Sequence, residues 1–353
     1  MKHALNSRPP EGRRRTKAGC ELLLCLGLLL LLALPLALML GRYSVSPYRV
    51  LQILAARLPF VHYDGLFSQA EEAAVIGVRL PRVVLAVLTG AALSASGAVL
   101  QSVFMNPLAS PDLLGTSSAA GFGAALAIFI GLTGFAVTAA AFVFGIAGVA
   151  LVFICGRHVR SGRSAGIILC GIITGSLFSA GISLIKLSAD PENRLPAITY
   201  WLMGSLNGAD MNTVGFFIVP FVTGLLPLFL LRWKLNVISL GEDAARAVGT
   251  DPARVRTAAV ICTSLLTAAA VSSSGVIGWV GLVMPQALRR LCGPDQRVLL
   301  PASLLAGGLF MLLSDTVSRC LLAAEVPVGI VTALAGAPLF LILLITERRR
   351  ENA

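Results

Sequence analysis

The ionisable residues that could bind or move an ion lie at the ends of this chain's long apolar stretches, not in their interiors. Asp112 and Asp315 stand at two such ends, and His3, His62 and His158 fall in the N-terminal tail or in loops. Proton- and sodium-coupled carriers usually need an ionisable side chain within a membrane span, where it binds and releases the coupling ion. A secondary transporter is therefore disfavoured, and so is membrane haem ligation, which would need histidine within a span.

The sequence also lacks the motifs of an enzyme that would supply its own energy. No glycine is followed by lysine, which excludes the GxxxxGK[ST] phosphate-binding loop and ATP hydrolysis by that route. The seven cysteines include no CxxC spacing, and most lie in apolar stretches, where cysteine behaves as a small hydrophobic residue. We therefore predict a chain that is not an enzyme, holds neither metal nor cofactor, and is either passive or driven by a partner.

The elements that position these residues are predicted to be membrane-spanning helices. Hydrophobic residues make up 56% of the 353-residue chain and charged residues 13%, against about 25% in soluble domains. Because a helix needs about 20 apolar residues to cross the hydrocarbon core, we predict an all-α membrane protein with ten spans. The eighth span is short and contains Pro285, so nine spans are the alternative. The predicted spans cover residues 21–41, 82–105, 113–131, 134–155, 164–186, 213–232, 254–273, 276–289, 300–320 and 328–346.

Basic residues are unevenly distributed between the connecting segments and predict the orientation of the chain. With ten spans and a cytoplasmic N-terminus, 20 of the 28 Lys and Arg residues fall in cytoplasmic segments, as the positive-inside rule requires. The chain then divides into a basic cytoplasmic tail (1–20), a transmembrane domain (21–346) and a cytoplasmic tail (347–353). Because stretch 21–41 lacks a small-x-small exit, we predict a retained helix and not a cleaved signal peptide. The net charge of +11 comes in short clusters, which argues against nucleic-acid binding.

The cytoplasmic segment 233–256 has the pattern of a short capped helix. Ser239 and Glu242 have the spacing of a capping box, and Gly249 stands where a left-handed C-terminal glycine belongs. Asp251 and the proline after it predict the start of the next helix. A solvated connector would explain the caps, but it accounts less well for alanine and valine along a short exposed helix. We therefore predict an element that docks onto a partner.

A series of short motifs follows in a fixed order along most of the chain. They are Arg79–Arg82 (RLPR), Gly97–Gln101 with Asn106–Ala109 and Leu114–Gly115, Trp201–Leu206, Leu240–Gly249, Gly281–Pro285, Leu299–Pro301, Asp315 with Arg319, and Glu325–Gly329 through Thr332 to Gly336–Pro338. Together they resemble the FecCD-like permeases of ABC importers, which take up ferric siderophores, haem and vitamin B12. One departure is Gln286, where the family commonly has histidine after the proline.

The resemblance implies a type II ABC importer permease of the inner (plasma) membrane, with ten helices and both termini in the cytoplasm. It also implies a second permease subunit, identical or paralogous, two cytoplasmic ATPase subunits and a periplasmic substrate-binding protein. The segment 233–256 would then couple nucleotide-driven closure of the ATPases to the spans. The residues assigned to this ATPase contact are Leu240, Gly241, Glu242, Ala245 and Gly249.

On the outer face, the resemblance assigns Arg79, Arg82 and Arg319 to capture of the binding protein. The alternative is that these arginines only extend toward the membrane interface, as arginine at a span end often does. Asp315 precedes Arg319 by one helical turn, so we expect an i,i+4 ion pair to hold that guanidinium group. The motifs further assign structural roles to Asn106, Pro107, Gly115, Pro285, Asp315, Glu325, Pro327 and Gly329.

The function predicted from these features is import of a ferric siderophore, driven by ATP hydrolysis in the partner subunits. Haem or a corrinoid such as vitamin B12 are the alternatives within the same machinery, because the binding protein chiefly selects the cargo. A passive channel is the alternative from another class. The absence of charge within the spans permits a channel, but the capped cytoplasmic segment would then be unexplained.

Overall fold

The computed structural model describes residues 11–41, 43–57, 67–156, 163–322 and 324–351, and all regular structure within these ranges is helical. The outer ends of both predicted tails and most of the cytoplasmic segment after residue 156 lie outside the described residues. The helices are α1 (Glu11–Met39), α2 (Pro47–Ala55), α3 (Gln69–Glu72), α4 (Leu80–Val103), α5 (Thr116–Phe129), α6 (Phe135–Gly156), α7 (Arg163–Ser188), α8 (Arg194–Leu202), α9 (Met211–Ile238), α10 (Glu242–Ala247), α11 (Pro252–Ser274), α12 (Val280–Cys292), α13 (Gln296–Cys320) and α14 (Val328–Glu351).

Each of the ten predicted spans corresponds to a helix. Eight helical stretches, which include α1, α4, α6, α7, α9, α11, α13 and α14, are long and apolar enough to cross a membrane. The other two spans are the shorter helices α5, with 14 residues, and α12, with 13 residues and Pro285 inside it. The eighth predicted span is therefore short, as its proline indicated.

Helix α4 lies in the centre of the bundle, and its small residues make this possible. It packs against α13 at a point where a Cβ atom on Gly90 would lie only 2.1 Å from the carbonyl oxygen of Gly307. Small residues allow two helix backbones to approach this closely, whereas a larger side chain would push the helices apart. Helices α1, α7 and α14, in contrast, leave most of their surface uncovered by the rest of the chain.

The connection between α4 and α5 turns back into the bundle. After α4 ends at Val103, Met105 adopts a left-handed conformation with φ +48° and reverses the chain. A single 3-10 turn follows at Pro111–Leu114, and α5 begins only after Gly115, whose φ is +70°. The first part of the third predicted span is therefore not α-helical.

A second non-helical segment, residues 275–279, lies between α11 and α12 and places the start of α12 beside this connection. A Cβ atom on Gly281 would lie 2.7 Å from the carbonyl oxygen of Leu93 and 2.9 Å from Cδ of Pro111. Leu93 lies about 15 Å along α4 from the inner end of that helix, so Asp112, next to Pro111, lies deep in the bundle. Asp112 comes just before α5, as the sequence indicated, but it does not lie at the inner end of the bundle, because the connection re-enters the bundle before α5 begins.

Several short helices lie outside the ten spans. Helices α2 and α3 belong to the long outer connection between α1 and α4, and α3 continues through a π-helical stretch, Ala73–Arg79, into α4. Helix α8 follows α7, and α10 lies between α9 and α11. Only α10 was predicted, because hydropathy over about 20 residues does not detect elements of four to nine residues.

Candidate functional site

The inner connection between α9 and α11 contains the predicted short helix, α10. Gly249 ends it with φ +76°, and the Asp251 side chain accepts hydrogen bonds from the backbone amides of Ala253 (2.9 Å) and Arg254 (3.3 Å) at the start of α11. The C-terminal cap at Gly249 and the N-terminal cap at Asp251 agree with the prediction from the sequence. The predicted capping box is wrong: Ser239 ends α9 instead, and its hydroxyl donates to the Asn236 carbonyl. The reason is that α9 continues to residue 238, six residues beyond the predicted end.

Ion pairs hold α10 against the first turns of α11. The Glu242 carboxylate lies 2.7 Å from the Arg256 guanidinium and 3.2 Å from that of Arg246. Arg256 is only 2% exposed, and Ala245 is fully buried against the neighbouring helices. Sequence reasoning missed Arg256, although an arginine within the otherwise apolar span 254–273 was a signal that it has a partner.

Two large apolar side chains flank α10 and are exposed, beside the exposed charged residues Asp243 and Arg246. Leu240 is 77% exposed and Val248 is 57% exposed, one on each side of α10. Gly241 (φ +113°) and Gly249 have open space around them, so their role here is conformational and not close packing. This connection is thus a short helix held to α11 by the Glu242–Arg256 ion pair, with Leu240 and Val248 exposed on either side of it.

On the outer face, four charged residues form one buried network. Arg82 contacts Asp315 with its Nε atom at 2.9 Å and Glu325 with its Nη1 atom at 3.0 Å. Arg319 lies 3.1 Å from the other Asp315 oxygen, which confirms the expected i,i+4 ion pair. Asp315 is fully buried, and charge compensation by two arginines explains how a carboxylate can occupy such a place.

Arg79 belongs to the same region but has different partners. Its guanidinium donates to the carbonyl oxygens of Leu38 (2.7 Å), Met39 (3.2 Å) and Tyr43, at and after the end of α1. The last carbonyls of a helix lack intrahelical donors and carry partial negative charge, which favours a cation there. A Cβ atom on Gly41 would lie 2.8 Å from Cζ of Arg79, so a larger residue at that position would have to displace the guanidinium group.

The three predicted docking arginines therefore lie together, but their side chains are buried. Arg79, Arg82 and Arg319 are each 4–5% exposed and line one cavity of about 240 Å³ with Tyr43 and Glu325. Three guanidinium groups face two carboxylates, Asp315 and Glu325, so the cluster carries one net positive charge. In the part of the chain that the structure describes, Arg79 is the member that forms no ion pair.

The remaining motif residues shape turns at the two faces. Asn106 accepts a hydrogen bond from the Leu108 amide at 2.9 Å, and the Pro107 carbonyl accepts one from Gln286 Nε2 at 2.6 Å, immediately after Pro285. The family departure at Gln286 is thus accommodated by a direct contact between two motifs. Pro327 comes directly before α14, and a Cβ atom on Gly329 would lie 2.2 Å from the Met203 carbonyl oxygen.

The chain was compared with known families and structures. The family model described as the FecCD transport family matches residues 29–346, which is nearly the whole chain. The chain belongs to the FecCD transport family. The chain is therefore an ABC importer permease.

Individual relatives differ in what their names say they carry. The molybdate import system permease protein MolB of Haemophilus influenzae is 40% identical over 93% of this chain and 96% of its own length. The Probable iron chelatin transport system permease protein of Helicobacter pylori is 38% identical over 82% of this chain and 87% of its own. The vitamin B12 import system permease protein BtuC of Escherichia coli is 36% identical over 96% of this chain and 98% of its own.

A solved structure agrees with this assignment. An inward-facing ABC transporter of the metal-chelate type superposes with a TM-score of 0.82 and 38% sequence identity, covering 92% of this chain and 99% of that one. This FecCD chain is thus a multi-pass permease subunit of the inner membrane with the type II importer fold. It is not itself an enzyme, since ATP hydrolysis in these importers belongs to separate subunits.

Proposed function

We propose that this FecCD permease forms half of the translocation path of an importer for a ferric siderophore, of the neutral or positively charged kind. The observation that carries the proposal is a cavity of about 190 Å³ beside the middle of α4. Its lining combines apolar residues, Trp279, Ser110 and one acidic residue, Asp112. Such a weakly polar lining suits a cargo whose metal charge is masked by an organic shell.

The iron chelatin relative supports the same cargo class, and two other relatives define the competing candidates. Molybdate is the second candidate, because MolB is 40% identical and covers nearly the whole chain. Molybdate is a dianion, however, and no basic residue lines the cavity that contains Asp112. A corrinoid is the third candidate through the likeness to BtuC, and haem stays an alternative on the family resemblance alone.

The experiment that tests the cargo is a panel of ligands on the complete importer. The permease is purified with its ATPase and its binding protein, and ATP hydrolysis is measured with ferric hydroxamates, ferric catecholates, ferric citrate, haem, cobalamin and molybdate. We expect a ferric hydroxamate to stimulate hydrolysis most strongly. Stimulation by molybdate, haem or cobalamin without any response to a ferric chelate would overturn the proposed cargo.

For the inner face, we propose that α10 and its flanking residues contact the ATPase. The exposed side chains of Leu240 and Val248 would enter a groove on that partner, while Glu242 and Ala245 keep α10 attached to α11. Gly241 and Gly249 supply the two left-handed turns that project this segment away from the bundle. Movement of the ATPase would thereby reach α11 as a rigid-body displacement.

For the outer face, we propose that the cavity lined by Arg79, Arg82 and Arg319 receives an acidic side chain of the binding protein. Its net positive charge favours such a contact, and complementary charge also speeds encounter between partners. Arg79 is the best candidate for direct contact, because Arg82 and Arg319 already neutralise Asp315. We further propose that a second permease subunit, identical or paralogous, covers the exposed surfaces of α7 and α14.

A further inference from the structure

Asp112 is an exposed residue that lines the cavity beside α4, although it lies deep in the bundle. The cavity is bounded by Leu93 on α4, by Pro111 and by the start of α12 near Gly281. Within the described residues, the only hydrogen bond to the carboxylate comes from the Ser117 hydroxyl, which donates to Oδ1 at 2.5 Å, and no basic side chain forms an ion pair with it. Ionisable groups within a membrane bundle are costly, and when they lack a counter-ion they usually face water or a transport path.

The helices on the two sides of Asp112 indicate where its cavity lies relative to the neighbouring subunit. On one side, a Cβ atom on Gly171 of α7 would lie 2.2 Å from the Leu113 carbonyl oxygen. On the other side, a Cβ atom on Gly336 of α14 would lie 2.7 Å from Cβ of Trp279. Helices α7 and α14 are among the least covered in the chain, so Asp112 lies between the two surfaces left open for another subunit.

The backbone at this cavity is also unusual. Trp279 has φ +72°, a conformation that bulky residues rarely adopt and that costs free energy unless the surroundings enforce it. Its ring lies 6.4 Å from the ring of Phe340 on α14, in an edge-on arrangement. The strained turn thus holds Trp279 at the cavity that Pro111 and Asp112 of the re-entrant connection also line.

We infer that Asp112 lines the translocation path and makes it selective by charge, favouring neutral or cationic ferric chelates over anionic cargo. This inference rests on the proposed function, since it concerns which chelates pass. Two like charges within about 6 Å in a partly buried site repel strongly enough to change a rate tenfold or more. If the second permease subunit is identical, two copies of the Asp112 carboxylate line the translocation path.

The first test asks whether the position faces water, and it does not depend on any cargo. The complete complex is placed in nanodiscs and treated with a membrane-impermeant thiol reagent, and modification at each position is read by peptide mass spectrometry. The Asp112→Cys chain should react within about tenfold of the rate of an Asp190→Cys chain, whose site lies in an exposed outer loop. The fully buried Ala95→Cys site should stay unmodified. Protection of the Asp112→Cys site both with and without ATP would overturn the inference, whatever the cargo.

The second test measures charge selection. Uptake of a cationic ferric trihydroxamate and of an anionic ferric tricatecholate is compared in proteoliposomes containing wild-type, Asp112→Asn or Asp112→Glu permease. We expect Asp112→Asn to raise the anionic-to-cationic uptake ratio about tenfold and Asp112→Glu to restore it. The control Asp190→Asn removes one carboxylate from the outer loop and should leave the ratio unchanged.

A uniform loss of uptake for both chelates in the Asp112→Asn variant would mean that Asp112 only supports the fold, and would overturn charge selection. An unchanged ratio would overturn it as well. If the wild-type complex moves no ferric chelate at all, the proposed function fails, while the labelling result still decides whether Asp112 lines the path. Efficient molybdate uptake by the wild type would overturn both.

Discussion

At the scale of single residues, charge placement separates structural from interacting arginines. Asp315 and Arg319 were predicted to pair because an i,i+4 spacing is visible in the sequence. The contact from Arg82 to Asp315 spans 233 positions and the contact to Glu325 spans 243, so no local pattern could reveal them. The burial of these arginine side chains could not be predicted either, because a motif that resembles a docking site does not show how its side chains pack.

The buried network should make Asp315 essential for stability. Asp315→Ala leaves Arg82 and Arg319 without their shared carboxylate, and removal of one partner from a buried pair typically costs about 3–5 kcal/mol. We expect a clear decrease in the thermal midpoint of the purified permease in detergent, measured by size-exclusion chromatography after heating. Glu72→Ala, which removes the exposed ion pair with Arg57, is the matched control and should change stability by less than about 1 kcal/mol. Equal effects of the two variants would contradict a structural role for Asp315.

Arg79 should instead matter for the binding protein. Arg79→Gln retains hydrogen-bond donors toward the end of α1 but removes the charge that no carboxylate neutralises. We expect the Kd for the binding protein to rise about tenfold at low ionic strength and the difference to shrink in high salt, because screening weakens such attraction. Affinity can be measured by biolayer interferometry on nanodiscs. An unchanged Kd at low salt would show that Arg79 serves only to cap α1.

At the scale of elements, hydropathy predicted the helices but not the way their connections run. The ten apolar stretches were sufficient to place ten helices, since length and composition decide whether a helix can span a membrane. The re-entrant connection before α5 could not be read from the sequence, because residues 104–115 contain ordinary turn signals that fit an external loop equally well. The capping box failed because tertiary packing extends α9 through residues whose local pattern indicated a helix start.

The coupling role proposed for α10 should be lost when this helix is detached from α11. Arg256→Ala removes the buried partner of Glu242 and should leave transport weakly linked to ATP hydrolysis, with at least a fivefold decrease in ligand-stimulated hydrolysis in proteoliposomes. Arg254→Ala is the matched control, because Arg254 is 88% exposed and pairs with Asp251 within its own first turn. Membrane insertion of both variants is checked by their yield and elution profile. Normal stimulation of ATP hydrolysis in the Arg256→Ala complex would contradict the coupling role proposed for α10.

At the scale of the whole molecule, helix α4 connects the outer charged network with the cavity of Asp112. Helix α4 begins at the outer arginine cluster, passes the cavity of Asp112 at Leu93 and ends near the inner motif at Asn106. Its position depends on close contacts between glycines, at Gly90 with Gly307 and at Gly97 with Gly281. Which glycines meet is a property of the assembled bundle and could not be predicted from the sequence.

A small added side chain in this centre should therefore disturb the whole permease. Gly90→Val would put Cβ 2.1 Å from the Gly307 carbonyl oxygen, so α4 and α13 must separate, and we expect a loss of about 3 kcal/mol or more of stability. The outer cluster and the Asp112 cavity both lie along α4, so binding-protein affinity and uptake should fall together with the thermal midpoint. Gly215→Val in α9 is the matched control, because nothing lies within 4 Å of a Cβ atom there and both readouts should stay near wild type. If Gly90→Val lowers the thermal midpoint but leaves both functions intact at low temperature, α4 holds the bundle together without linking its two faces.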